Sequence, residues 1–145
     1  MPLAPPSAYD ELVARLHLKP LPDGLLEQAL THASYLNESG ADAQSNERLE
    51  FLGDAVLGMV IANELFRLYP NAGEGDLTRM RADVVRGRTL AHAATRMGLG
   101  EHMILGRGEE AAGGRNRERN LAGTMEAVIG AVYSGNGLRA AKSFI

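Results

Sequence analysis

The chain has 145 residues, of which 45% are hydrophobic, and a formal net charge of −3 at pH 7. It contains no cysteine, which excludes thiolate zinc sites, thiol catalysis and disulfide bonds, so a metal would need oxygen or imidazole ligands. No apolar run approaches the roughly 20 residues of a membrane span, and no signal-peptide pattern opens the chain, so we expect a cytoplasmic protein without membrane contact.

The amino-terminal third predicts two short helices followed by a loop. The helices are expected over residues 8–17 and 24–34, separated by the prolines of residues 20–22. Residues 37–45 are polar and without periodicity, which predicts a loop that ends in an N-cap at Ser45 or Asn46.

A long central helix is expected next. It should reach about Tyr69, where Pro70 would end it, and its apolar residues lie on nearly every side, as in a buried helix. Asp76 is predicted to cap a further helix that extends to about Met97, where two glycines follow closely.

The carboxyl-terminal part predicts a glycine-rich loop and two helices. Residues 106–114 resemble a phosphate-binding loop only superficially, because no Lys-Ser or Lys-Thr pair follows. Helices are expected over residues 120–133 and from Leu138 onward, and we expect the natural chain to continue beyond Ile145. Strand signals are scarce, so the prediction is a single all-α domain over residues 1–145.

Acidic residues occupy one stripe of the predicted central helix. Glu47, Glu50 and Asp54 are spaced i, i+3 and i+7, which places them within an arc of roughly 60°. Like charges at this spacing repel, and the stripe continues into apolar surface, so folding alone does not explain it. A hard divalent cation would neutralise the cluster. The simpler alternative is a solvated face that pairs with arginines.

A further acid, Glu126, stands in a segment that is otherwise apolar or small. An ordinary salt bridge with a basic neighbour would explain it. The alternative is that Glu126 faces the first acidic helix, because two helices that present acids toward each other form a recurring kind of metal site.

Residues 47–57 have the sequence Glu-Arg-Leu-Glu-Phe-Leu-Gly-Asp-Ala-Val-Leu, which resembles the signature of ribonuclease III enzymes. Residues 30–35, 74–82, 105–109 and 126–131 resemble other blocks of that family in the same order. The resemblance covers nearly the whole chain.

The resemblance implies a helical endonuclease domain that forms a homodimer and cuts double-stranded RNA, such as rRNA and mRNA precursors, with one strand cut per subunit. It implies Mg²⁺, for which Mn²⁺ may substitute, and no small-molecule cofactor. By position, Asp54 and Glu126 match catalytic acids, while Glu50, Asp54 and Glu126 match metal-binding acids. Glu47 matches an associated acid, while Phe51 and Leu52 could pack in the core or, as in family members, form part of the subunit interface. The separate RNA-binding domain of many members has no match in this chain.

One expected acid is absent. The family pattern has aspartate three residues before Glu126, where this chain has Gly123, and Asn120 replaces an apolar residue. Three explanations are open: an engineered or natural loss of activity, a site completed by water or by Glu118, and a catalytically impaired dimeric domain that binds RNA or the ribosome.

Nine of the fifteen lysine and arginine residues lie in the segment from Arg79 to Arg119. As a group these arginines favour contact with RNA phosphates, whereas each one alone is explained as well by pairing with Glu74, Asp83 or Glu118. His32 is expected to form hydrogen bonds and not to bind metal.

Overall fold

A computed structural model describes residues 8–145, which form nine α-helices and no strand. The helices are α1 (Ala8–Arg15), α2 (Leu25–Leu30), α3 (Ala33–Ser39), α4 (Glu47–Leu68), α5 (Glu74–Val85), α6 (Gly87–Arg96), α7 (Leu99–His102), α8 (Arg107–Ala111) and α9 (Glu118–Phe144), with a 3-10 turn at Gly114–Asn116. The predicted all-α class is confirmed. No helix within residues 8–145 is long and apolar enough to cross a membrane.

Helix α9 is the centre of the fold. Residues 120–132 are buried with the exception of Glu126, and α4, α6 and α2 pack around them. Helix α4 is buried along one side only, contrary to the prediction, because Phe51 and Phe66 are 80% and 73% exposed. One face of α4 therefore packs on α9, while large apolar side chains remain exposed on the opposite face.

Two glycines allow α4 and α9 to approach closely. A Cβ atom built on Gly53 would overlap the main-chain oxygen of Glu126 and lie 2.9 Å from the amide nitrogen of Gly130. A Cβ atom built on Gly130 would in turn overlap the main-chain oxygen of Leu49. Because these atoms belong to rigid helix backbones, neither position tolerates a side chain, and the crossing brings Asp54 near Glu126.

We expect Gly53→Ala to destabilise the protein by about 2–3 kcal/mol, because the added methyl group forces the two helices apart. Gly58→Ala is the matched control, since no atom lies within 4 Å of a Cβ built there and alanine is the better helix former by about 1 kcal/mol. Chemical denaturation measures both. Equal stability of the two variants would show that α4 and α9 are not held at this contact.

Two predicted helices are interrupted in the structure. The helix expected over residues 24–34 ends at Leu30, because the chain pairs with a distant segment: Ile104 N–H donates to Leu30 O (2.8 Å) and His32 N–H donates to Ile104 O (2.9 Å). The helix expected to reach Met97 breaks at Arg86, whose extended ψ of 150° separates α5 from α6.

Several predicted boundaries also change. Helix α5 begins at Glu74, so Asp76 lies in its first turn and is not its cap. Asn46 occupies the N-cap position of α4 without capping by its side chain, and the Ser45 hydroxyl instead accepts from the Glu47 amide (3.4 Å). The two predicted carboxyl-terminal helices are confirmed as the parts of α9 on either side of Gly137, where φ is 88°.

The predicted loop over residues 106–114 contains α8, and a distant acid caps this helix. Both oxygens of Glu38 accept hydrogen bonds, from the amides of Arg107 (2.7 Å) and Gly108 (2.8 Å). These bonds hold the pKa of Glu38 below its usual value. The capping fixes α8, and with it Glu109, against the neighbouring helix α3.

Candidate active site

An open cleft of about 730 Å³ lies between the first turns of α4 and α9, with α3 and α8 at its margins. Glu47, Glu50 and Asp54 enter it from α4, and Glu126 enters it from α9. The predicted site residues Glu50, Asp54 and Glu126 thus line one cleft. The sequence predicted that each acid lies on a helix. In the structure, the crossing of α4 and α9 brings the acids of α4 close to the acid of α9.

The carboxyl group of Glu126 is the most perturbed in the cleft. Its pKa is raised to about 8, chiefly because burial removes it from water, and further by a hydrogen bond with Asp54 and by the charges of Asp54 and Glu50. Such a shift occurs where acids are held together against their mutual repulsion.

Glu50 experiences a similar environment. Burial raises its pKa, the cation of Arg119 opposes that increase, and the charges of Glu47 and Asp54 add to it. Arg119 therefore acts as a local counter-ion inside an otherwise acidic wall.

The cleft offers carboxylate oxygens, which are the ligands of hard cations such as Mg²⁺. Within residues 8–145, however, no three His, Asp or Glu side chains converge as a complete metal site. A Cβ atom built on Gly123 would lie 2.9 Å from Oε2 of Glu50, so a side chain at position 123 would enter the same cleft. The acids fit a cation that retains water ligands, and position 123 is where a further carboxylate would reach them.

A family model described as Ribonuclease-III-like matches residues 22–145. The chain belongs to the ribonuclease III family. It is 48% identical over 141 residues to Ribonuclease 3 of Roseiflexus sp. (strain RS-1), covering 95% of this chain and 60% of that protein. Its identity to Ribonuclease 3 of Symbiobacterium thermophilum is 52%, covering 85% of this chain and 52% of the relative.

Solved ribonuclease III structures share the fold. The nuclease domain of the Campylobacter jejuni ribonuclease III superimposes with a TM-score of 0.86 at 36% identity, over 93% of this chain and 91% of that domain. Dicer from Pichia stipitis gives a TM-score of 0.62 at 28% identity, over 87% of this chain and 55% of that one. The chain spans half to three fifths of the length of the curated ribonuclease III relatives that it matches.

Glu118 does not complete the ribonuclease III site. It is absent from the residues that line the cleft, and its Oε1 lies 4.0 Å from a Cβ atom built on Gly87, at the start of α6. The hypothesis that Glu118 replaces the missing acid is therefore wrong for this arrangement. Helical spacing explains this result. Arg119, Gly123 and Glu126 lie on one face of α9, and Glu118 lies on a different face.

Asn120 has a clear structural role. Its side chain is buried and donates hydrogen bonds to Oε1 of Glu109 (2.8 Å) and to the main-chain oxygen of Gly114 (3.1 Å). Arg117 pairs with the same oxygen of Glu109 (2.6 Å). The Asn120 bond and the Arg117 charge lower the pKa of Glu109. Sequence reasoning missed Glu109 as a cleft residue, and the polar residue at a normally apolar position was the available signal.

His32 lies at the cleft margin with a hydrogen-bonding role, as expected. It is the N-cap of α3, and its Nδ1 accepts from the Ser34 amide (3.1 Å) and shares a hydrogen bond with the Ser34 hydroxyl (2.8 Å). That hydroxyl also accepts from the Gly106 amide (2.9 Å), so His32 helps to join α3 to the start of α8.

Several arginines of the group between Arg79 and Arg119 pair with acids. Four arginines form ion pairs, which are Arg79–Asp76, Arg86–Asp83, Arg115–Glu110 and Arg117–Glu109. Arg115 also donates to the main-chain oxygens of Gly100 and Met103, which makes it part of the fold. Of the group, Arg117 and Arg119 line the acidic cleft.

Proposed function

We propose that this ribonuclease III-family domain hydrolyses phosphodiester bonds of double-stranded RNA, including rRNA and mRNA precursors. One observation supports the proposal above the others: the glycine-mediated crossing of α4 and α9 brings Asp54 and Glu126 together in a cleft open to a large substrate. The family to which the chain belongs supplies the reaction class.

In this proposal Glu50, Asp54 and Glu126 hold Mg²⁺, for which Mn²⁺ may substitute. When bound, the cation supplies Lewis-acid polarisation of the phosphodiester and a more acidic water. Asp54 and Glu126 lie closest to the reacting groups, and their paired carboxyls can accept and return a proton. Arg119 and Arg117 reduce the repulsion that an acidic cleft would exert on a polyanion.

We further propose that the active form is a homodimer. A region involved in dimer formation is described for the Campylobacter jejuni nuclease domain. In this chain Phe51, beside the cleft, is 80% exposed, and so large an apolar group favours a protein contact. Two-fold symmetry would let two cleavage centres act on opposite strands of one duplex.

We expect Asp54→Asn to lower the rate of duplex cleavage in Mg²⁺ by at least about 1,000-fold, because it removes a charge from the cleft and preserves side-chain volume. Glu64→Gln is the control, since Glu64 lies on the same helix, is exposed and pairs with Arg67. The measurement is single-turnover cleavage of a labelled RNA duplex. Equal rates for Asp54→Asn and the unchanged chain would contradict the assignment.

The alternative is a catalytically impaired, RNA-binding domain, and Gly123 is the sequence feature that separates it from the first candidate. The named relatives give it no support, because they are Ribonuclease 3 proteins. The two candidates differ in the effect of restoring a carboxylate at position 123.

A further inference from the structure

A second cleft, of about 550 Å³, lies beyond the other end of the bundle from the acidic one. It is bounded by the turn after α1, by Met97 at the end of α6 and by the last turns of α9. The two clefts share no lining residue, and about 15 Å of helix separates Glu126 from Asn136, given a rise of 1.5 Å per residue. This cleft is therefore independent of the active site.

The second cleft is basic. Its basic side chains are Arg15, His17, Lys19 and Arg139, and among the residues that the structure describes no carboxylate lines it. None of the four belongs to an ion pair within residues 8–145, although the chain as a whole has more acidic than basic residues. Concentrated and uncompensated positive charge in a concave surface creates a potential that attracts anions.

Two contacts fix the shape of the cleft. Arg15 donates to Nε2 of His102 (3.3 Å), and its guanidinium covers Gly98, where a built Cβ atom would lie 2.7 Å from Nη2. The main-chain oxygen of Lys19 accepts from the Asn136 side chain (3.2 Å), which fastens the turn after α1 to α9.

His17 shows that the turn itself has an unusual conformation. Its φ of 54° makes it the only non-glycine residue with positive φ among residues 8–145. The turn closes with bonds from His17 N–H to Ala14 O (3.1 Å) and from Leu18 N–H to Val13 O (3.0 Å), a helix ending in which glycine is usual. A histidine at this position costs free energy that glycine would not, and it adds an imidazole to the cleft.

We propose that this basic cleft is a second RNA-binding site that holds adjacent phosphates of a duplex away from the cleavage centre. Arginine and lysine side chains supply the charge-assisted hydrogen bonds that phosphates accept, and such backbone contacts position a duplex without reading its sequence. Leu16, Leu18 and Phe144 provide an apolar floor that lowers the local dielectric constant. The inference rests on the proposed function, because that function supplies the polyanionic ligand.

The test compares Lys19→Gln/Arg139→Gln with Arg67→Gln/Lys142→Gln, using the whole chain. Both variants lose two positive charges, but Arg67 pairs with Glu64, the charge of Lys142 also acts on Glu64, and neither residue lines a cleft. Binding of a fluorescent RNA duplex is measured by anisotropy without divalent cations, so that no cleavage occurs. We expect Lys19→Gln/Arg139→Gln to raise Kd about 3- to 10-fold at low salt and to reduce the salt slope by about 1–2, with a change under about 2-fold in the control.

The outcomes separate this site from the proposed function. If the unchanged chain binds and cuts duplex RNA and the two variants behave alike, the basic cleft is not an RNA site and the proposed function stands. If the unchanged chain binds no duplex at low salt, the proposed function and the assignment of the basic cleft are both wrong. If Lys19→Gln/Arg139→Gln weakens binding to phosphatidylserine vesicles and leaves RNA binding unchanged, the cleft is a lipid site. If inorganic phosphate displaces the duplex as effectively as unlabelled RNA does, the site takes isolated phosphate and the inference fails.

Thermal unfolding establishes that both variants fold, which the exposure of Lys19 and Arg139 leads us to expect. If either variant does not fold, the unchanged protein provides the same test. Addition of a duplex should then shift the amide resonances of residues 15–19 and 136–144. Shifts confined to the acidic cleft would overturn the inference.

Discussion

Gly123→Asp should raise the rate of duplex cleavage at sub-saturating Mg²⁺ by at least about 10-fold, since loss of even an outer-shell partner costs metal sites about 10- to 100-fold. The direction follows from position: a Cβ at residue 123 lies 2.9 Å from Oε2 of Glu50, on the helix face that also carries Glu126. Only the flexible end of Glu50 must move, so the new carboxylate can enter the cleft without displacing a helix backbone.

The control is Gly123→Asn, which adds nearly the same volume without the charge. We expect it to leave the Mg²⁺ dependence of cleavage unchanged or slightly worse, because an amide is a weaker ligand than a carboxylate. The measurement is the cleavage rate over a Mg²⁺ titration for the chain and both variants. A Gly123→Asp rate no higher than that of the unchanged chain would mean that the cleft is already complete without a fourth acid.

Restoring the acid should also change stability. Without metal, another negative charge beside Glu50 increases repulsion in the cleft, so Gly123→Asp should unfold at a lower temperature than Gly123→Asn. Mg²⁺ should reverse that order, because a ligand that binds only the folded state stabilises it. Gly123 therefore avoids this repulsion in the metal-free protein, and weaker metal binding accompanies it.

The acidic stripe on α4 was predictable, because helical periodicity alone sets which face a side chain occupies. The convergence of α4 with α9 was not. It depends on Gly53 and Gly130, whose importance arises only when two backbones meet at that point. Spacing alone was equally compatible with an ordinary salt bridge at Glu126. The family resemblance indicated a place for this residue in the active site.

Features that join distant segments were beyond sequence reasoning. Thr31 ends α2 because its neighbours pair with Ile104, and Glu38 caps α8 from a separate helix. The basic cleft likewise combines residues 15–19 with residues 136–144. Local propensity contains no term for such contacts. The arginine concentration between Arg79 and Arg119 drew attention to nine residues, of which four form ion pairs within residues 8–145.

Proton and metal binding should compete at Glu126, with opposite consequences for stability and activity. The pKa of Glu126 is raised to about 8 in the folded protein, above its value in the unfolded chain. The folded state therefore binds the extra proton between those two values, and the unfolding free energy of the metal-free protein falls as pH rises toward 8. Mg²⁺ requires the deprotonated carboxylate, so its affinity should increase over the same range.

Glu126→Gln separates these effects. Because the variant keeps the side-chain volume and removes the charge, we expect the metal-free protein to gain about 1–2 kcal/mol at pH 8, a modest value since the Glu126 side chain is only partly buried. Cleavage should fall at least about 1,000-fold, and Mg²⁺ should raise the melting temperature much less than in the unchanged chain. Calorimetry with and without Mg²⁺ at pH 6 and pH 8 measures the stability effects. A variant that is less stable than the unchanged chain at pH 8 without metal would show that Glu126 is held by favourable contacts, and the repulsive cluster that we assign to cation binding would lose its basis.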